Sequence, residues 1–255
     1  MESFSFKQFT VQQSRSAMKV NTDGVLLPAW VSLPDFSNQS KTCRVLDIGA
    51  GTGVISLIMA QRLSSNGPFY VTAIDIDTES AKEAALNFYN SPWRESLEAK
   101  EISLQEHALE CLAHKYSMII SNPPFFTDSL KAPSHSRSGA RHNDLLPFKD
   151  ILDASQKMLD DEGLLAVVLP VEEGERFIRE AAECRFIMVR RCRVKTLADK
   201  KEKRYLLEFR RDTGINYICK EELIVIQNHK GEYYTEQYCN LVGDFYLKDF
   251  KRELL

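Results

Sequence analysis

Three glycines spaced Gly49-x-Gly51-x-Gly53 separate a short apolar run from a helical stripe, and no other feature of the chain restricts its fold as much. Residues 41–48 (KTCRVLDI) end as a strand. After the glycines, Val54, Ile55, Ile58, Met59 and Leu63 recur at helical spacing. The unit is strand, tight turn, helix. A second buried-type strand, FYVTAIDID, closes on acids, and Asp77 is placed to cap the next helix. That helix carries Ala81, Ala84, Ala85 and Phe88 on one side and stops near Ser91-Pro92. A weak third strand is expected within 99–107, a fourth at 116–122 (YSMIISN) and a fifth at 164–170 (LLAVVLP), each preceded by helix-compatible sequence. Strands alternating with helices predict an α/β, doubly wound, mostly parallel sheet. Beyond the helix VEEGERFIREAAECRF, the runs FIMVRRCRVKT and RYLLEFRRD predict an antiparallel hairpin that closes the sheet, and ELIVI (222–226) adds a short strand. Without internal repeats, residues 1–255 are expected to form a single domain, with 1–40 as a segment capping the core of 41–255.

The turn also narrows the ligand. Dinucleotide enzymes carry G-x-G-x-x-G at this place, but Val54 occupies the position of the last glycine here, and no lysine follows to make a P-loop. Asp47, just before the turn, would repel a pyrophosphate and attract a cationic sulfonium amino acid. Asp75, ending the second strand, is placed to accept from ribose hydroxyls. A helix-capping or solvated acid is the alternative for Asp75, whereas for Asp77 capping is the favoured reading. Together these residues resemble the pattern of class I methyltransferases that use S-adenosyl-L-methionine.

Ser121-Asn122-Pro123-Pro124-Phe125-Phe126 follows the fourth strand, at the edge where such sheets place their ligands. An exocyclic amine on adenine is a poor nucleophile because its lone pair is delocalised into the ring. Two carbonyl oxygens accepting its hydrogens would draw the nitrogen toward tetrahedral geometry. The Asn122 side chain and the Pro123 backbone supply such oxygens, and consecutive prolines make a stiff wall without N–H donors. Phe125 is suited to stack on a flat base. The alternative is a strand end with a Pro-Pro turn packed by two phenylalanines.

The formal charge is −3, which argues against wholesale coating of nucleic acid but hides local patches. Residues 190–211 hold ten Lys or Arg against three acids, a local excess of +7 that includes Lys200, Lys201, Lys203 and Arg204. Lys131, Arg137 and Arg141 sit in the long connection after Phe126. Both segments suit phosphate contacts, or are simply solvated faces. The six cysteines form no C-x-x-C pair and read as reduced thiols, and the five histidines lack ligand spacing, so no metal is expected. No apolar run reaches about 18 residues and the N-terminus lacks a signal-peptide pattern, so a cytoplasmic location is expected.

The order of KVNTDGVLLPAW (19–30), VLDIGAGTG (45–53), AIDID (73–77), SNPPFF (121–126) and GDFYLKDF (243–250) resembles the bacterial tRNA(Val) adenine-N6 methyltransferases over nearly the whole chain. The resemblance implies a Rossmann-like class I sheet with a reversed terminal strand. It implies N6-methylation of the adenosine directly 3′ of the anticodon, a tRNA partner, and S-adenosyl-L-homocysteine as by-product. On these residues, Asp47, Gly49, Gly51, Asp75 and Asn122 would hold the cofactor, with Thr22 and Asp23 reaching in from the N-terminal segment. Asn122, Pro123 and Phe125 would hold the adenine. A monomer is assumed. Two positions depart from the pattern. Asn21 stands where the family usually has glycine. Ala108, beside Glu106 and His107, stands where an acid usually follows the third strand, so either a neighbour or a main-chain group contacts the cofactor's adenine, or the strand lies elsewhere.

The motif alone does not separate this activity from protein glutamine N5, rRNA guanine N2 or DNA adenine N6 methylation. A DNA enzyme is expected to carry a target-recognition domain and a glutamine enzyme an N-terminal helical domain, which favours RNA. A nicotinamide oxidoreductase is disfavoured by Val54 and Asp47, and a non-catalytic RNA-binding module by the intact Asn122-Pro123-Pro124-Phe125 set.

Overall fold

The computed structural model describes residues 2–34, 42–110, 115–124, 146–231 and 233–247. An N-terminal hairpin, β1 (Ser3–Ser5) and β2 (Thr10–Gln12), leads through a bent segment to α1 (Thr22–Trp30). The core then runs β3 (Cys43–Ile48), α2 (Val54–Leu63), β4 (Phe69–Asp75), α3 (Thr78–Tyr89), β5 (Leu97–Glu101), α4 (Leu104–Glu110) and β6 (Tyr116–Ser121). It continues through α5 (Phe148–Met158), β7 (Leu159–Pro170), α6 (Val171–Glu183), β8 (Phe186–Leu197), β9 (Arg204–Arg211), β10 (Lys220–Gln227) and α7 (Glu236–Val242).

Eight strands form one sheet in the order β10-β8-β9-β7-β6-β3-β4-β5. The run from β7 to β5 is parallel, as the strand–helix alternation predicts. The hairpin of β8 and β9 is antiparallel, but it does not simply close the sheet. Strand β9 inserts between β7 and β8, antiparallel to both, and β10 lies outermost, parallel to β8. Alternate strand residues feed two cores: Val45, Val71, Met118, Ile120, Ala166 and Val168 face one way, Leu46, Ile74, Ile119, Leu165, Val167 and Leu169 the other. Helix α2 is buried on almost every side because α1 covers the face that would otherwise meet solvent.

Two expectations need correction. The third parallel strand is Leu97–Glu101, which overlaps only the first residues of 99–107, and 104–110 is helical, so Ala108 lies inside α4 rather than at a strand end. Ser103 and Glu106 start that helix as a reciprocal cap, with Ser103 Oγ 2.6 Å from the Glu106 carboxylate. His107 is buried and its Nε2 lies 2.9 Å from the Tyr116 hydroxyl. On α3 the inward face is Ser80, Ala81, Glu83, Ala84, Asn87 and Phe88, while Ala85 points to solvent.

The N-terminal segment is fastened at several places. Phe4, Phe6 and Phe9 pack with Tyr246 and Trp93, which joins the two ends of the described chain. At the far end of α1, Arg62 donates to the carbonyls of Pro28 and Val31. Ser32 donates its backbone N–H and hydroxyl to the buried carboxylate of Glu208. Arg190 joins Glu222, Glu208 and the Trp30 carbonyl while lying over the Trp30 ring. Removing one partner from so buried a network costs about 3–5 kcal/mol, so the end of α1 is fixed to the sheet.

Candidate active site

Register brings the site together. Ile48 pairs with Ile74 on one side and Ser121 on the other, so the glycine turn, Asp75 and Asn122 leave the sheet side by side. This is the carboxyl edge at the point where the strand order reverses, with β4 and β5 on one side of β3 and β6 and β7 on the other, the place where open α/β sheets bind ligands. Ser121 Oγ donates to the Ile48 carbonyl at 2.8 Å and locks the two strand ends.

Gly49, Gly51 and Gly53 have φ of +69°, +55° and +77°. At Gly53 a Cβ would lie 2.5 Å from the Phe88 ring, so only glycine lets α3 pack here. Gly49 faces open space, with no atom within 4 Å of a Cβ built there, which leaves room for a ligand against the backbone. Gly51 donates its N–H to Asp75 Oδ2 at 2.8 Å, and Asp77 donates to Asp75 Oδ1 at 2.9 Å. The Asp75 carboxylate is therefore aimed by backbone amides while keeping acceptor capacity for a ligand, and burial pushes its pKa upward. Asp77 caps α3 by accepting from Ser80 N at 2.8 Å.

Asp47 is fully buried. One carboxylate oxygen accepts from Ser56 Oγ at 2.7 Å, and the other has no partner. Burial pushes its carboxyl up to about 7. Asn122 is also buried; its Nδ2 lies 3.7 Å from Met18 Sδ, and its Oδ1 has no partner. A buried acceptor left unpaired costs about 1–3 kcal/mol, so the fold keeps two acceptors in reserve at this edge against that cost. Pro123 is buried beside Asn122.

Thr22 is exposed at the start of α1, where Gly24 lies against Val54, the first residue of α2. Asn21 caps α1 by accepting from Gly24 N at 2.9 Å with φ −139°, an extended conformation open to any residue, so its replacement of glycine carries no strain. Asp23 and Arg204 meet at 2.7 Å.

Most arginines of the basic stretch 190–211 are paired with acids, several of them supplied by other elements. Arg191 pairs with Glu175 and Glu221, Arg211 with Asp161, and Arg190 with Glu208 and Glu222. Lys200, Lys201 and Lys203 lie in the turn from β8 to β9, at the same edge as Asn122 because β9 starts beside Pro170. Phe125, Lys131, Arg137 and Arg141 lie outside the described residues.

Several residues at the site escape a reading of motifs. Ser56, one turn into α2, holds Asp47. Ile76 is 70% exposed immediately after Asp75 and offers apolar surface to a flat ring. Glu83 and Asn87 interrupt the apolar face of α3 at an i, i+4 spacing; that interruption is visible in the sequence and was the signal to follow.

This sheet order, with a reversed strand between the last two of the core, the glycine turn, an acid after the second strand and Asn-Pro-Pro after the fourth define a class I S-adenosylmethionine-dependent methyltransferase. The chain matches the methyltransferase small domain family over residues 31–181. A crystal structure described as a predicted O-methyltransferase from Agrobacterium tumefaciens superposes with a TM-score of 0.65 at 18% identity, over 88% of this chain and 96% of that one. A tRNA1(Val) (adenine(37)-N6)-methyltransferase from Flavobacterium psychrophilum is 39% identical over 96% of this chain and 99% of its own length. One from Bacteroides fragilis is 38% identical over 96% and 98%. The chain belongs to the tRNA1(Val) (adenine(37)-N6)-methyltransferase family.

Proposed function

We propose that this protein methylates N6 of an adenosine in tRNA, the one directly 3′ of the anticodon of tRNA(Val), and releases S-adenosyl-L-homocysteine. The observation that carries the reading is the unpaired, buried Oδ1 of Asn122 at the end of β6, beside the glycine turn. The residues present fit the cofactor: Gly49 leaves open space, Asp75 keeps unused acceptor directions, and Asp47 holds an orphaned carboxylate oxygen. S-adenosylmethionine supplies an electrophilic methyl group on a sulfonium centre. Asp47 attracts its cationic amino-acid part, Asp75 receives the ribose hydroxyls, and Gly49 and Gly51 let the backbone approach. Thr22 closes the site from α1, while Asp23 acts on it through Arg204.

At the acceptor, Asn122 Oδ1 and the Pro123 carbonyl take the two amine hydrogens and localise the nitrogen lone pair toward the methyl group. Phe125 stacks on the base by this proposal. The methylated nitrogen loses its surplus proton to solvent, so no group here needs to act as a strong base, and no metal enters the scheme. Lys200, Lys201 and Lys203, with Lys131, Arg137 and Arg141, contact tRNA phosphates. The segment 1–40 and the core 41–255 work as one unit, in the cytoplasm with the tRNA pool. No helix among the described residues is long and apolar enough to cross a membrane.

The test offers labelled cofactor with tRNA, DNA and a release-factor protein to the same enzyme, and reads products by nucleoside and amino-acid mass spectrometry. N6-methyladenosine in tRNA is expected. Label only as N5-methylglutamine, as a methylated guanine or in DNA overturns the acceptor assignment.

A further inference from the structure

Helix α3 buries two polar side chains one turn apart, and neither is used by the chemistry above. Glu83 is 1% exposed and accepts three successive backbone N–H groups: Ser14 at 2.7 Å and Arg15 at 2.9 Å on one oxygen, Ser16 at 2.8 Å on the other. Asn87 accepts from Gln12 N at 2.7 Å and donates to the carbonyls of Gln12 and Thr52, both at 2.9 Å. One helix face thus grips the strap of residues 12–16, and through Thr52 the same face grips the glycine turn. Three consecutive amides turned toward one carboxylate make an anion nest, and their common target fixes the bend of the backbone.

The bend decides where the strap goes next. Ser16 Oγ comes within 3.3 Å of the Cβ position of Gly51 and donates to the Met18 carbonyl at 3.3 Å. Met18, 44% exposed, then brings its sulfur to 3.7 Å from Asn122 Nδ2. The strap therefore runs from the cofactor half of the site to the acceptor half. A thioether accepts hydrogen bonds and donates none. Met18 consequently favours the amide flip that puts Nδ2 toward itself and leaves Oδ1 as the free oxygen.

We propose that Glu83 and Asn87 are positioning residues: by holding the strap they close the cofactor site over Gly51 and, through Met18, fix which end of the Asn122 carboxamide faces the acceptor amine. The proposal rests on the role given to Asn122 for its second half only. The cofactor half is measured without any acceptor, so its outcome does not depend on which molecule is methylated.

The experiment compares Glu83→Ala, Glu83→Gln and Met18→Leu with the parent, each as full-length protein normalised to its folded fraction. Calorimetry reads affinity for S-adenosylhomocysteine, and single-turnover methylation of tRNA reads the rate with cofactor saturating. Displacement of catalytic groups by about 1 Å costs on the order of 10²-fold. Glu83→Ala is expected to weaken cofactor affinity about 10-fold and slow methyl transfer by about 10- to 100-fold. Glu83→Gln should recover most of both, because its single carbonyl oxygen keeps the two amides that share one oxygen of Glu83. Met18→Leu should hold cofactor affinity within about twofold while slowing transfer about 10-fold, since volume is kept and the acceptor is lost. A Glu83→Ala enzyme with parent affinity and parent rate per folded molecule overturns the strap proposal, as does equal damage from Glu83→Gln. If Glu83→Ala does not fold, Glu83→Gln and Met18→Leu decide: the parent rate in Met18→Leu removes the link to Asn122, and weakened affinity in a folded Glu83→Gln equal to a Gly51→Ala control removes the retained-amide argument for the strap.

Discussion

Arg204, the first residue of β9, holds Asp23, the second residue of α1, at 2.7 Å, and so ties the front of the N-terminal segment to the far half of the sheet. Both groups are largely buried, and the pair sits at the edge shared by the glycine turn and Asn122. Its charges are committed to each other. Arg204→Ala and Asp23→Ala should therefore behave alike, each lowering stability and cofactor affinity, and the double variant should be little worse than either. Chemical denaturation in a double-mutant cycle should give a coupling of about 0.5–3 kcal/mol. Strict additivity would show that the pair contributes nothing.

Asp75 is the acid with the clearest demand on a ligand, because backbone amides aim its carboxylate and leave acceptor directions unused. Asp75→Ala should weaken binding of both S-adenosylmethionine and S-adenosylhomocysteine by about 1.5–3 kcal/mol, the scale of charge-assisted hydrogen bonds. Unchanged affinity by calorimetry would remove Asp75 from the site.

Asn122→Ala tests the chemistry itself. Removal of one preorganised polar partner typically costs about 10²–10³ in turnover, and cofactor binding should stay near that of the parent. A variant that methylates RNA at the parent rate would show that the carboxamide does not prepare the amine.

How much of this was legible in the sequence follows from range. The strand–turn–helix at Val45–Leu63, the capping by Asp77 and the end of α3 are local and were readable from spacing and turn chemistry. The third strand was misplaced because LEAKE alternates weakly and the helix after it starts within three residues. The charge island at 190–211 misled for a different reason. Glu175, Glu221, Glu222, Asp161 and Asp23 come from other elements, so a local count cannot register that they pair with four of its six arginines. The strap on Glu83 is a contact across some seventy positions of sequence, and only the polar break in the face of α3 announced it.

Asp47 predicts a pH dependence with a definite sign. Its carboxyl is pushed up to about 7 by burial, against about 3.9 in an unfolded chain. The folded protein holds this proton more tightly, so the contribution to stability is fully present below about pH 4 and is lost as pH rises through about 7. A cationic ligand favours the carboxylate, so cofactor binding near pH 6 should release a proton and tighten as pH rises toward 7. Calorimetry in two buffers of different protonation enthalpy reads the release directly. Asp47→Asn should abolish it and flatten the thermal stability profile; undiminished proton release in that variant would place the titration elsewhere.

The turn from β8 to β9 gives the last prediction. Lys200, Lys201 and Lys203 project from the edge that carries Asn122, and the turn is held by Lys203 N donating to the Val194 carbonyl at 2.8 Å and Ala198 N to the Asn228 carbonyl at 3.3 Å. Lys200 lies 3.5 Å from Asp199, but both are well exposed, and pairs of that kind contribute little. These lysines therefore remain available for phosphates in a region whose arginines are mostly taken. By the proposed mechanism the target adenine leaves its stack to reach Asn122, at a cost of a few kcal/mol that is smaller in a loop, and phosphate contacts would offset it. Changing the three lysines to glutamine should lower tRNA affinity and reduce the slope of log affinity against log salt by about 2–3, with cofactor binding unchanged. Arg204→Ala should give the opposite signature, a loss in cofactor affinity with the salt slope nearly intact, because its charge already faces Asp23. A short anticodon stem-loop should be a poorer substrate than whole tRNA, since contacts spread this far need a large partner. Equal salt slopes for the parent and the triple variant would show that the turn does not meet the RNA backbone.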